Sequence, residues 1–199
     1  IRNENFRWNL SYNLSYNESE VVATDESGNN ISIGDVRTFD ANSSQVVGQP
    51  FGVIFGTAYL RNPAGDIVYD ASGFPLVDPE RKVLGEGVSP WTMGLNNTFS
   101  YKGFNLSFLI DAKFGGQVYS GTNRVAYGAG LHKETLNGRE NGLTVTGVTN
   151  VTEENPNGEP FTYTHDDTTL QTYYGSNSGV GRIAEEFIGD SDFIKFRQL

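Results

Sequence analysis

The chain has 199 residues, of which 24 are Gly, 13% are aromatic and none is Cys, and its formal charge is −10. The missing cysteines exclude disulfides, thiolate chemistry and Cys-based zinc or iron–sulfur sites. The acidic balance argues against nucleic acid as a partner, because phosphates call for a basic surface.

Many Gly, Asn, Ser and Thr, without long Ala/Leu/Glu/Lys helical patterns, indicate a loop-rich all-β chain. No apolar run nears the ~18 residues of a membrane-crossing helix. In chain order, Arg2-Asn3-Glu4-Asn5 reads as a short turn. Residues 6–16 then alternate without a break: Phe6, Trp8, Leu10, Tyr12, Leu14 and Tyr16 fall on one face, and Arg7, Asn9, Ser11, Asn13 and Ser15 on the other. A period of two predicts a strand with one apolar and one wet face. A tilted strand needs ~9–11 residues to cross a bilayer, whereas an ordinary strand averages ~5–6. Aromatic ends around an aliphatic middle match the girdles of an outer-membrane barrel. A long strand of a soluble β-sandwich is the alternative that this pattern leaves open.

Residues 18–90 form a long polar connection with turn clusters at Asp25–Asn30, Arg61–Asp66 and Asp70–Pro75. Within it, Phe51–Tyr59 and Ile67–Tyr69 are expected to form a local hairpin. Residues 91–101 and 104–114 repeat the long alternation, separated only by Lys102 and Gly103, and predict a tight antiparallel hairpin. A two-residue turn sets Tyr101 opposite Phe104, Phe99 opposite Leu106, Leu95 opposite Ile110 and Trp91 opposite Phe114, all apolar on one face. Asn97 on the apolar face and Leu109 on the polar face break the pattern, so a bulge or a protein-covered patch is expected near mid-strand. Residues 115–190 form a second long connection, and a further strand starts at Phe193. Structureless connections of this length are usually functional. In outer-membrane barrels long loops are extracellular and short turns periplasmic. The Lys102–Gly103 turn is then periplasmic, with an even number of crossings between 17 and 90, zero being the simplest. With no signal peptide or starting Met, and strands at both termini, the chain is expected to be part of something larger.

Few residues suggest chemistry. His132 and His165 stand apart in loop-like sequence without metal-ligand spacing, and a surface position is expected for both. Glu153-Glu154, Asp166-Asp167 and Glu185-Glu186 are acidic pairs. Glycoside hydrolysis needs two carboxylates ~5–9 Å apart across a cleft, but adjacent acids in polar loops are ordinarily solvated. Gly179-Val-Gly-Arg-Ile-Ala184 matches a dinucleotide fingerprint only nominally, since no βαβ unit contains it. Asn9, Asn13 and Asn105 head Asn-x-Ser/Thr triplets, but they read as polar positions of strands. Tyr119, Tyr127, Tyr173 and Tyr174 of the second connection are the candidate ligand residues: tyrosine can stack on a sugar ring and hydrogen-bond through its hydroxyl. Loop packing and contact with a capping partner are the plainer roles for them.

Several motifs taken in order carry a family resemblance: Gly48-Gln-Pro-Phe-Gly52 with Phe55-Gly56 and Tyr59; Val83-Leu-Gly85; Trp91; Asn96-Asn-Thr-Phe-Ser-Tyr-Lys-Gly-Phe104; Leu106-Ser-Phe-Leu-Ile-Asp111; Phe114-Gly-Gly116; Lys133-Glu-Thr-Leu136; Gly138-Arg-Glu140; and Phe193-Ile-Lys-Phe-Arg-Gln-Leu199. Together they resemble the C-terminal barrel region of the SusC/RagA family of TonB-linked outer-membrane transporters. The resemblance implies part of a large antiparallel transmembrane β-barrel with long extracellular loops, in the bacterial outer membrane and in contact with lipid. It implies import of an oligosaccharide or a peptide, a SusD-like surface lipoprotein as partner, and TonB acting through an N-terminal region outside this chain. Passage and gating need no catalytic residues, and no cofactor or metal is implied. Many members carry an Asp-x-Asn-x-Asp-Gly loop of calcium type, but here Asn62–Asp70 has too few spaced carboxylates for an EF-hand-like site. A soluble carbohydrate-binding or adhesion module is the rival from another class, and a glycosidase-type enzyme comes last.

Overall fold

The computed structural model describes residues 1–3, 5–33, 40–175 and 178–198. Its strands are β1 (Phe6–Tyr16), β2 (Ile31–Ser32), β3 (Ala41–Gln45), β4 (Val53–Gly56), β5 (Lys82–Glu86), β6 (Trp91–Tyr101), β7 (Phe104–Phe114), β8 (Gln117–Tyr119), β9 (Leu143–Thr149), β10 (Glu159–His165), β11 (Ile188–Asp190) and β12 (Phe193–Arg197), with helices α1 (Gly121–Gly128) and α2 (Asp167–Tyr173). Glu4 of the expected first turn and Leu199 of the last motif lie outside the described residues.

The long strands form an antiparallel sheet in the order β1-β6-β7-β12. β6 and β7 pair from Trp91–Phe114 down to Tyr101–Phe104 without interruption. Their turn places Lys102 at φ 44° and Gly103 at φ 91°. Two central residues with positive φ are what a type I′ hairpin turn needs to match strand twist, and glycine adopts this at no steric cost. β1 lies directly against β6, with Phe6 opposite Tyr101 and Tyr16 opposite Trp91, so no strand crosses between them. Of the bulge or protein-covered patch expected near mid-strand, the bulge does not occur, and Asn97 is covered by protein. Asn97 remains in register on the apolar face, 5% exposed, and its Oδ1 accepts a hydrogen bond from Trp8 Nε1 at 3.2 Å. Nearby ring pairs run from strand to strand across the same face: Trp8–Phe99 at 5.6 Å, Phe99–Phe108 at 6.1 Å and Phe108–Phe196 at 5.1 Å.

At the end away from the Lys102–Gly103 turn, the two long connections are not structureless. The first folds into the sheet β2-β3-β4-β5. The expected hairpin of Phe51–Tyr59 with Ile67–Tyr69 is not made: β4 lies between β3 and β5, while Ile67 and Tyr69 make isolated bridges to Arg61 and Pro75. In the second connection β8 pairs with β11 just beyond the long sheet, and β9 pairs with β10. The two connections then interlock. Val68 bridges Val148, Thr57 Oγ1 donates to Arg182 O at 2.8 Å, Tyr59 N donates to Glu185 Oε2 at 2.9 Å, and Arg61 pairs with Glu185 at 2.9 Å.

Burial divides the molecule in two. Among the described residues every buried hydrophobic side chain except Ala112 belongs to this lobe, including Val53, Ile54, Val68, Val148, Leu170, Ile183 and Phe187. The apolar face of the long sheet instead stays open, with Leu10 at 53% and Phe104 at 82% exposure. Large apolar side chains ranked in strand register and facing outward, beside a lobe with its own core, mark a surface made for an apolar surrounding.

Candidate functional site

The second connection places its tyrosines with two capped helices. Ser120 Oγ accepts from Asn123 N at 3.2 Å and starts α1, which carries Tyr127. Asp166 caps α2 by accepting from Thr168 N and Thr169 N, while Thr169 Oγ1 closes the reciprocal contact. Hydrogen bonds from the Thr168 hydroxyl, and then from Thr169, hold the Asp166 carboxyl down at about 2. α2 ends at Tyr173 and Tyr174; the Tyr174 ring meets Tyr127 of α1, while the Tyr173 ring packs against His165 and Tyr174.

These tyrosines converge on one hydrophobic cluster with Leu170, Val180 and Phe187. Tyr127 meets Phe187 edge-on at 5.0 Å and Tyr174 at 5.8 Å; Tyr119 meets Phe187 at 6.5 Å, and Tyr173 meets Tyr174 at 5.3 Å. Edge-to-face packing satisfies the ring quadrupoles and commits much of each ring to its neighbours. Tyr127 and Tyr174 are buried, and Tyr119 and Tyr173 are partly buried against the same cluster. Burial raises all four hydroxyl pKa values, and burial with the nearby Glu186 carboxylate pushes Tyr127 up to about 12.

Two of these tyrosines share one cleft, while Tyr119 borders a separate pocket with Asn42, Ile54 and Gln117. A cleft of about 460 Å³ is lined by Tyr127 and Tyr174, with Leu170, Thr135, Arg139 and Asp167 around it. Tyr119 and Tyr173 do not line it. The Arg139 guanidinium is engaged in structure, donating from Nε to Thr135 O at 2.8 Å and from Nη2 to Gly130 O at 2.7 Å. The cleft therefore offers two ring edges and a carboxylate rather than a free cation.

Two expectations need correction. His165 is fully buried, not a surface residue: its Nε2 lies 2.9 Å from Gly73 O, and Phe74, Tyr163 and Tyr173 surround the ring. Its polar neighbours Thr164 and Asp166 hid this, because alternation along β10 turns only His165 inward at that end. Nor is Glu185-Glu186 a freely solvated pair. Glu185 holds Tyr59 N and Arg61, and Glu186 Oε2 accepts from Tyr59 OH at 2.8 Å. His132 is half-buried, stacked 4.6 Å from Tyr127, with Nδ1 accepting from Glu134 N. Asn62 and Asp70 organise turns: Asn62 Oδ1 accepts from Asp66 N, and Asp70 Oδ1 from Ser72 N and Phe74 N.

Antiparallel strands of 11 residues with aromatic ends and an outward apolar face are the wall element of a membrane β-barrel. No family model matches the chain. Three curated proteins do, and all are TonB-dependent receptors. The chain is 31% identical over 166 residues to one from Formosa agariphila, covering 60% of this chain and 16% of that protein. It is 25% identical over 144 residues to a second receptor of the same organism, covering 61% and 14%. It is also 25% identical over 131 residues to SusC of Bacteroides thetaiotaomicron, covering 60% and 13%. The chain is thus SusC-like and similar to outer-membrane receptors over about 60% of its length, and the matched stretch spans 13% to 16% of each relative.

Proposed function

We propose that this chain supplies wall strands and an extracellular lobe to a TonB-dependent importer that carries an oligosaccharide or a peptide across a bacterial outer membrane. The separation of an open apolar sheet face from a lobe with its own core carries this proposal, since lipid would cover the first and water surround the second. The Lys102–Gly103 turn is then periplasmic, and Asn9, Ser11, Asn105, Asp111 and Lys113 face the lumen. Tyr127 and Tyr174 are the substrate contacts favoured by the cleft, while Tyr119 and Tyr173 support them from the cluster. A SusD-like lipoprotein would cover the lobe, and TonB would act through a region outside this chain. The work is passage and gating, with no bond made or broken.

Outer-membrane fractionation followed by electrophoresis with and without boiling tests this. A closed barrel resists detergent until heated, so the protein should migrate faster unboiled and should co-fractionate with the outer membrane. A soluble protein with no heat-dependent mobility would refute it and favour the carbohydrate-binding or adhesion module.

A further inference from the structure

The polar face of the wall is basic in a chain that is strongly acidic. The four wall strands carry Arg7, Lys113, Lys195 and Arg197 against one acid, Asp111, whereas the whole chain has a formal charge of −10. Strand register gathers most of this charge at the lobe end, with Lys113 opposite Phe193 and Asp111 opposite Lys195. Arg197 closes on Asp111 at 2.9 Å. Among the described residues, no carboxylate is left within ion-pair reach of Lys113 or Lys195. The Lys195 ammonium lies 4.2 Å from the centre of the Phe193 ring. Beside Asp111 the sheet carries Gly94, where an added Cβ would approach only Leu109 Cδ1, at 3.9 Å. The face is hollow there.

We propose that Lys113, Lys195 and Phe193 form a binding patch for an acidic oligosaccharide passing through the barrel. This deepens the transport proposal and rests on its lumen-facing assignment of the polar face. The two lysines are diagonal neighbours, with backbones ~7–8 Å apart. An oxyanion set between them relieves their repulsion and accepts charge-assisted hydrogen bonds from both. Phe193 offers an apolar ring to the sugar body, and the Gly94 hollow gives the chain of rings room. A carboxylate or sulfate on the sugar presents the same chemistry. Asp111 on this face is neutralised by Arg197, Asp192 accepts from Gly115 N at 2.7 Å, and acids of the lobe beyond the Debye length of ~8 Å are screened.

The test is equilibrium binding to the receptor in its own outer-membrane vesicles. The probes are a short fluorescent oligogalacturonate, its neutral methyl ester, a sulfated oligosaccharide of the same length and a Glu-rich peptide. Both acidic sugars should bind in preference to the ester and the peptide, and more weakly as salt rises. Lys113→Gln/Lys195→Gln should weaken acidic-sugar binding about tenfold or more and leave the ester little changed. A preference for only one acidic sugar identifies the anion and still upholds the patch. Equal binding of ester and acid, equal binding of the peptide, or insensitivity to either salt or the double substitution would overturn it. Heat-dependent mobility of the wild type reports the barrel separately. If it is absent, the transport proposal fails; if it is present without an acidic preference, only the patch fails.

Discussion

Asn97 sits among apolar neighbours, yet its amide is not a misplaced polar group. Leu10 and Phe108 flank it in register, and the Trp8 indole donates to its Oδ1 from the next strand. A neutral amide whose acceptor is satisfied costs little in such a place, whereas a carboxylate there would be a buried charge without a cation. Asn97→Asp should therefore destabilise the protein by ~2 kcal/mol at neutral pH, and Asn97→Leu by much less, as read from heat-induced loss of the folded mobility form. Tyrosines in the lobe make a second residue-level case. Burial first, and then Glu186, raises the Tyr59 hydroxyl pKa and pushes Tyr127 up to about 12, while burial also raises Tyr173. A tyrosine whose folded pKa exceeds its unfolded value of ~10 keeps its full stabilisation below pH ~10 and loses it as pH rises through the folded value. The lobe should loosen between pH ~10 and about 12, with loss of near-ultraviolet circular dichroism. An unchanged signal across that range would contradict the buried tyrosine cluster. This burial was not visible in the sequence: the four tyrosines of the second connection were recognisable as a group, but Phe187 and Glu186, which decide what they do, come from a separate turn further along the chain.

Elements with a strict period were the legible ones. The ranges 6–16, 91–101 and 104–114, and the register through Lys102 and Gly103, follow from apolar positions two apart and a turn pair that admits positive φ. The lobe strands were not legible in the same way. β3 reads Ala-Asn-Ser-Ser-Gln and β5 reads Lys-Val-Leu-Gly-Glu, too short and irregular for any period to show. They are held by long-range partners instead, as where β4 accepts β3 on one side and β5 on the other. The long elements also make facing testable. Leu10 and Ser11 are consecutive but point to opposite faces. Leu10→Arg should cost ~2–4 kcal/mol if the position lies near the bilayer midplane, and Ser11→Arg far less. Equal tolerance of Arg at both positions in a folding assay into bilayers would argue that protein, not lipid, covers the face.

At the scale of the whole molecule, two connections far apart in sequence fold as one lobe on an open wall. Gly147 marks their crossing: a Cβ there would fall 2.4 Å from Ile67 O and 2.7 Å from a ring carbon of Tyr69. Gly147→Val should cost ~1–3 kcal/mol and raise protease sensitivity in both connections together, because the first is held against β9 by Tyr69 N and Val148 N. Cleavage confined to the second connection would show that they fold independently. The central claim is that the alternating face of the wall meets lipid. Its most direct measurement is quenching by nitroxide-bearing lipids of a fluorophore attached at single-cysteine positions through residues 6–16 of the membrane-inserted protein, a stretch with no native cysteine. Quenching should alternate with a period of two, strong at Leu10, Tyr12 and Leu14 and weak at Asn9, Ser11 and Asn13. Uniform quenching, or none at any of the six positions, would contradict it.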